Sequence, residues 1–102
     1  MYEYKAKLVR CVDGDTVDFD IDLGFAVFVR ARTRLVDVDT PERGQKDYKE
    51  ATEFLKNLIV KARDEEGYNK IRTYKTGKYG RWLVTIDGDV NKEMASIWPY
   101  KK

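Results

Sequence analysis

The sequence predicts a mainly β, α+β fold: a small five-stranded barrel carrying one main helix. Three observations predict it. Val17, Phe19 and Ile21 alternate with Thr16, Asp18, Asp20 and Asp22, the period of a strand with one wet face. Residues 46–65 switch to helical period, with Ala51, Phe54, Leu55, Leu58, Ile59 and Ala62 on one apolar stripe. Strand-like segments flank that helix, three before it and two after.

The elements follow in order. Residues 2–12 read as a first strand, and Asp13-Gly14 turns the chain into the second. Phe25 to Val38 is a long β-rich segment with Val27 and Val29 on one face and Arg30, Arg32 and Arg34 on the other. A strand of that length is expected to bend or bulge. Asp47 with Glu50 reads as a capping box at the start of the helix, and Gly67 as its stop. Two strands are expected near 70–75 and 81–87. Asp87-Gly88 reads as a hairpin turn into a short strand or turn at Val90, and 91–98 as a helical stub. This order matches the Greek-key barrel called the OB-fold, with a helix between strands three and four and a shortened C-terminal helix. A plain sheet with one covering helix fits the same pattern. The 102 residues suffice for a single domain spanning 1–102.

Composition removes whole classes of chemistry. The chain is 42% hydrophobic and 37% charged, with a net charge of +2; this is globular usage with a heavily charged surface. No apolar run approaches the roughly 18 residues of a membrane span. Met1 to Arg10 contains no secretory apolar core. The expectation is a cytoplasmic chain as given, or a secreted one if the sequence is a mature fragment. The lone Cys11 excludes an internal disulfide and a cysteine-based zinc site. The absence of histidine excludes serine-type triads, zinc-hydrolase ligand sets and histidine bases. Catalysis would have to run on carboxylates, Arg, Lys, Tyr or a metal held by oxygen.

Between Gly67 and Ile86 there is no acid, while Lys70, Arg72, Lys75, Lys78 and Arg81 interleave with Tyr68, Tyr74, Tyr79 and Trp82. That mixture suits a polyanion with flat bases to stack; a solvated strand face reads the same way. Asp15 shares parity with Val17, Phe19 and Ile21, so it points toward the core at its strand's first position. A carboxylate there is costly unless a cation compensates. Asp39-Thr40-Pro41-Glu42 is a second acidic site just after the long strand. If the two strand ends neighbour each other, Asp15, Asp39 and a backbone carbonyl offer hard oxygens to Ca²⁺ or Mg²⁺; alternatively they are turn and hairpin residues. Arg34 and Arg81 could clamp a phosphate between two guanidiniums, or be surface arginines. Asp18, Asp20, Asp22 and Gly24 imitate the start of an EF-hand loop. The glycine stands one position late, and Val29 occupies the place of the bidentate glutamate. These aspartates are expected on the wet face of a strand.

Three blocks carry a family resemblance. Val12-Asp13-Gly14-Asp15-Thr16-Val17, Arg34-Leu35-Val36-Asp37-Val38-Asp39-Thr40-Pro41-Glu42 and Lys78-Tyr79-Gly80-Arg81 resemble, in order and spacing, the staphylococcal nuclease (thermonuclease) family. The likeness covers roughly residues 5 to 95. It implies an OB-fold and a Ca²⁺-dependent phosphodiesterase acting on DNA and RNA and leaving 3′-phosphate ends. The expected partners are DNA and RNA, single strands preferred, and the expected state is a monomer. Carried over by position, Asp15 and Asp39 would be metal carboxylates and Thr40 would offer its backbone carbonyl. Glu42 would act as the general base or orient the attacking water. Arg34 and Arg81 would bind and polarise the phosphate, and Lys78 and Tyr79 would line the nucleotide pocket.

The chain departs from the family in two places. The loop from Glu42 to the helix is short, and only twelve residues follow Val90, which leaves Tyr100 or Trp98 as candidates for a stacking group. Three readings stand: a metal-dependent nuclease, an inactive OB-fold module binding single-stranded nucleic acid or a protein, and a barrel with merely structural carboxylates.

Overall fold

The computed structural model describes residues 2–42, 44–76 and 81–99. Five strands form a closed barrel in the order β1-β2-β3-β5-β4. They are β1 (Tyr2–Asp13), β2 (Thr16–Asp22), β3 (Phe28–Leu35), β4 (Asn69–Thr76) and β5 (Trp82–Ile86); α1 (Tyr48–Lys61) lies between β3 and β4, and α2 (Val90–Ile97) follows β5. β1 to β3 form an antiparallel meander, and closure comes from β3 pairing parallel with β5 at Thr33–Leu35. This is the OB-like arrangement expected from the element order, with the helix in the expected gap.

Alternation decides what lies inside. Val17, Phe19 and Ile21 of β2 are buried with Ala6, Leu35, Ile71, Val84 and Ile86. Ala51, Leu55 and Ile59 bring the predicted stripe of α1 onto this core, and Val90 and Met94 do the same for α2. Each large apolar side chain so buried contributes roughly 1.5–3 kcal/mol. Asn69 ties α1 to β4, its Nδ2 donating to Ile59 O at 2.9 Å.

The wet face of β2 is an ion-pair ladder, as its aspartates suggested. Asp18 accepts from Arg32 Nε at 2.9 Å and Nη2 at 3.2 Å, and lies 3.4 Å from Arg10 Nε. Asp20 is held in the same two-pronged way by Arg30. The Arg32 hydrogen bonds hold the Asp18 carboxyl below its usual range. A depressed acid contributes stability that is complete above the unfolded-state value and is lost as pH falls through the folded one. Asp18→Asn is therefore expected to cost up to about 1 kcal/mol near neutrality. It should also flatten the acid limb of the stability curve, as measured by urea unfolding between pH 7 and the acid range.

Several local expectations give way. β3 begins only at Phe28, because Phe25 and Ala26 take left-handed φ of 53° and 60° in the β2–β3 turn. Asp47 does precede α1, but its φ of 66° is left-handed and its side chain makes no capping hydrogen bond. A capping side chain needs an extended backbone to reach the first amides, so the predicted box does not form. α1 ends at Lys61. Gly67, at φ 87°, serves the following turn, where Asp64 Oδ1 accepts from the amides of Glu66 and Tyr68. Asp87-Gly88 leads directly into α2, and Val90 is a buried helical residue rather than part of a strand.

Candidate active site

Strand ends converge at one end of the barrel. Asp15 enters β2 with inward parity and is only 7% exposed. Its backbone carbonyl accepts from Leu35 N at 2.8 Å, which fixes the β1–β2 turn against the end of β3. Beyond β3 the chain reverses through Asp37, at φ 63°, and returns Asp39 and Thr40 to the same place. Thr40 N donates to Asp15 Oδ2 at 3.2 Å, and Arg34 Nη2 reaches the same oxygen at 3.4 Å. Arg34 Nη2 also lies 3.7 Å from Asp39 Oδ1, while Nη1 donates to the carbonyls of Leu35 and Val38 at 3.2 and 3.0 Å. One guanidinium thus spans both carboxylates and the loop between them. The supposition that the two acidic strand ends are neighbours holds.

Burial pushes the Asp15 carboxyl up to about 6, reinforced by the hydrogen bond and charge of Asp13; Arg34 and the Thr40 amide pull it only part of the way back. Burial thus disfavours the Asp15 carboxylate, a cost that a cation beside it would offset. Among the described residues no three His, Cys, Asp or Glu side chains cluster as a metal site. The donors brought together are the carboxylates of Asp15 and Asp39, both within reach of Arg34. Hard oxygens of this kind suit Ca²⁺ or Mg²⁺ with water completing the shell, so the residues present fit such an ion.

The remaining expected residues are placed less closely. Glu42 is exposed two residues beyond Thr40, its amide donating to Gln45 Oε1 at 2.8 Å. Arg81 is half-buried immediately before β5, two residues ahead of Leu83, which pairs with Arg34. Lys78 and Tyr79 lie outside the described residues, as does Tyr100. Within the acid-free stretch, Arg72 is engaged by Glu3 at 3.0 Å and Asp87 at 3.1 Å, and Lys70 lies 3.6 Å from Glu3. These two cations serve the barrel wall. Trp98 packs edge-on against Phe54, with centroids 5.9 Å apart, so it belongs to the helix packing and not to a free stacking position.

Several supporting contacts escaped the sequence reading. Asn91 accepts from Ile86 N at 2.9 Å and donates to the carbonyls of Val36 and Val84 at 3.0 Å. Its partners lie 5, 55 and 7 residues away, so no local pattern announces it. Trp98 O accepts from Asp39 N at 3.1 Å, and Val38 bridges Pro99, which holds the acidic loop from behind. Gly14 figured in the sequence as a turn residue and as part of the first motif block, not as a packing contact. A Cβ there would stand 2.7 Å from Thr40 Oγ1 and 2.8 Å from Ala51 Cβ, so only glycine lets α1 and Thr40 close over the turn. Gly14→Ala is expected to push Thr40 off Asp15 and destabilise the fold by about 1–3 kcal/mol. A melting series of parent and variant should show this.

A family model described as "Staphylococcal nuclease homologue" matches residues 32–97, which include Arg34, Asp39, Thr40, Glu42 and Arg81. "Protein ParB" of Escherichia coli is 34% identical over 97 residues, 95% of this chain and 48% of the relative. The chain thus spans about half the length of that curated relative. With a closed five-stranded barrel, the helix between β3 and β4 and a match over most of the sequence, the chain belongs to the staphylococcal nuclease homologue family.

Proposed function

We propose that the chain is a Ca²⁺-dependent nuclease that hydrolyses phosphodiester bonds of DNA and RNA, single strands preferred, and leaves 3′-phosphate ends. The observation that carries this reading is the convergence of Asp15, Arg34, Asp39 and Thr40 at one end of the barrel.

Asp15, Asp39 and the Thr40 carbonyl would hold the cation, which supplies Lewis acidity toward a phosphate oxygen. Arg34, already oriented by two backbone carbonyls, turns from Asp39 toward the scissile phosphate. Together with Arg81 it stabilises the charge that accumulates as water adds to phosphorus. Glu42, exposed at the rim, takes the proton of that water. The P–O5′ bond breaks, the 5′-oxygen leaves and takes a proton from solvent water to become a hydroxyl, and the phosphate stays on the 3′ side. Lys78 and Tyr79 would border the nucleotide.

The test is digestion of single-stranded DNA with Ca²⁺, Mg²⁺ or EDTA, Glu42→Ala as the control and the ends analysed. Calcium-dependent cleavage to 3′-phosphates, lost in the control, supports the proposal. A second reading, binding without turnover, draws on exposed Tyr74 and Trp82 on the paired strands β4 and β5, positions where bases could stack. Salt-sensitive binding with no cleavage under any ion would favour it.

A further inference from the structure

The far end of the β2–β3 hairpin is built unlike the rest of the surface. From Leu23 to Val29 the chain carries no charged or polar side chain. Leu23, Val27, Phe28 and Val29 are each about half exposed, and Phe25 is 103% exposed. The turn that presents Phe25 is ordered by its own hydrogen bonds: Leu23 N to Val27 O and Val27 N to Gly24 O, both 2.9 Å, and Gly24 N to Asp22 Oδ1 at 2.8 Å. Gly24, Phe25 and Ala26 are left-handed in succession. Such a backbone is unfavourable for Phe and Ala, yet it places the largest side chain of the loop wholly in water. Asp15 precedes β2 and this turn follows it, so the tip stands about 20 Å from the candidate active site, at roughly 3.3 Å per strand residue.

The strand leading from the tip is open on one side. β3 pairs with β2 along its length, but with β5 only at Thr33–Leu35. Among the described residues, the outer edge from Phe28 to Arg32 has no strand beside it. An open edge next to an apolar patch is a template for another strand. The charges on the stem are already matched, Arg30 by Asp20 and Arg32 by Asp18, so the edge has no unmatched charge with which to attract a polyanion or an acidic segment. A neutral apolar surface with one open edge is complementary to itself, and antiparallel pairing about a twofold axis closes both edges at once.

We propose that the β2–β3 hairpin is a self-association surface through which two copies of this chain pair their open β3 edges, each apolar tip lying along the stem of the other hairpin. A twofold axis at Val29 sets Phe28 opposite Arg30, whose paired guanidinium can lie on the ring, and Val27 opposite Ala31. A standard interface takes about 800 Å² from each partner, and buried aromatic side chains supply about 150–250 Å² each. Two phenylalanines, three aliphatic side chains and a short edge therefore make a weak, concentration-dependent dimer.

The test is sedimentation of the full chain from micromolar to millimolar concentration, beside Phe25→Asn and a Phe25→Asn/Val27→Lys double variant. Asparagine tolerates the left-handed backbone, so the single variant keeps its fold even where the double does not; circular dichroism verifies this. The expected result is a mass that doubles with concentration in the parent chain, with weaker doubling or none in the variants. A monomer at every concentration overturns the proposal. So does a dimer indifferent to Phe25, or a monomer that instead binds phosphatidylcholine vesicles through Phe25.

Discussion

Glu42→Ala is expected to lower phosphodiester turnover by roughly 10²–10⁴-fold, the usual span for losing a general base. Little change in melting temperature should accompany it. The side chain is exposed, and the hydrogen bonds at this position, Glu42 N to Gln45 Oε1 and Gln45 N to Glu42 O, use backbone groups that alanine keeps. Glu42→Gln should fall as far, since an amide matches the shape but cannot take a proton. Initial rates on single-stranded DNA, with thermal melts of the same samples, check both variants. A variant that melts normally and cleaves at the parent rate would remove Glu42 from the reaction and leave water activation to another group.

The largest stability effect should come from a residue that never touches the candidate substrate. Asn91→Ala strips partners from Ile86 N, Val36 O and Val84 O in one change. Val84 O keeps a bond from Val36 N at 3.0 Å, so two backbone groups bear most of the loss. At about 1–3 kcal/mol for each buried group left unpaired, the expected cost is roughly 3 kcal/mol, or about 10–20 °C in melting temperature for a chain of this size. Asn91→Asp should fare no better, because a carboxylate would then face two carbonyls. The damage should spread to the candidate site, since α2 is capped by Trp98, whose carbonyl holds the Asp39 amide. Calcium titration of the folded fraction is expected to show weaker binding than in the parent. Unchanged stability would mean that α2 is held by its apolar contacts alone.

These two predictions separate the chemistry from its support. The expected chemical groups sit on a motif whose order is visible along the chain. Their support comes from the C-terminal helix, which the sequence announces only as a stub over 91–98. The structure shows how so short a helix contributes: Val90 and Met94 are buried in the core, Asn91 closes the gap between β5 and the chain after β3, and the Val38–Pro99 bridge ties down the acidic loop.

Cys11 completes the account of the polar interior. Burial pushes its thiol up to about 11, with Lys56 opposing and Glu53 and Asp13 adding to the rise. The thiolate needed for reaction is then scarce at neutral pH, consistent with a half-buried structural role.

The amino-acid sequence by itself determined what depends on near neighbours. The two-residue alternation of β2 put Val17, Phe19 and Ile21 inside, and carried Asp15 with them, because strand geometry leaves no other choice once the core face is set. The 3.6-residue stripe of Ala51, Leu55 and Ile59 set the inward face of α1 for the same reason. The motif blocks, together with the element order, supplied the family and the barrel. Tertiary structure alone decided what depends on partners distant along the chain. It turned Asp47 and Phe25 into left-handed residues where local patterns implied a capping box and a continuing strand. It tied Arg72 to Glu3 and Asp87, so that a cation counted toward a nucleic-acid surface belongs to the barrel wall. It also made Asn91 and Gly14 indispensable, one by three hydrogen bonds and the other by the absence of a Cβ. Periodicity records which face is apolar; it holds no information about which polar atoms from remote segments will find themselves within 3 Å when the barrel closes.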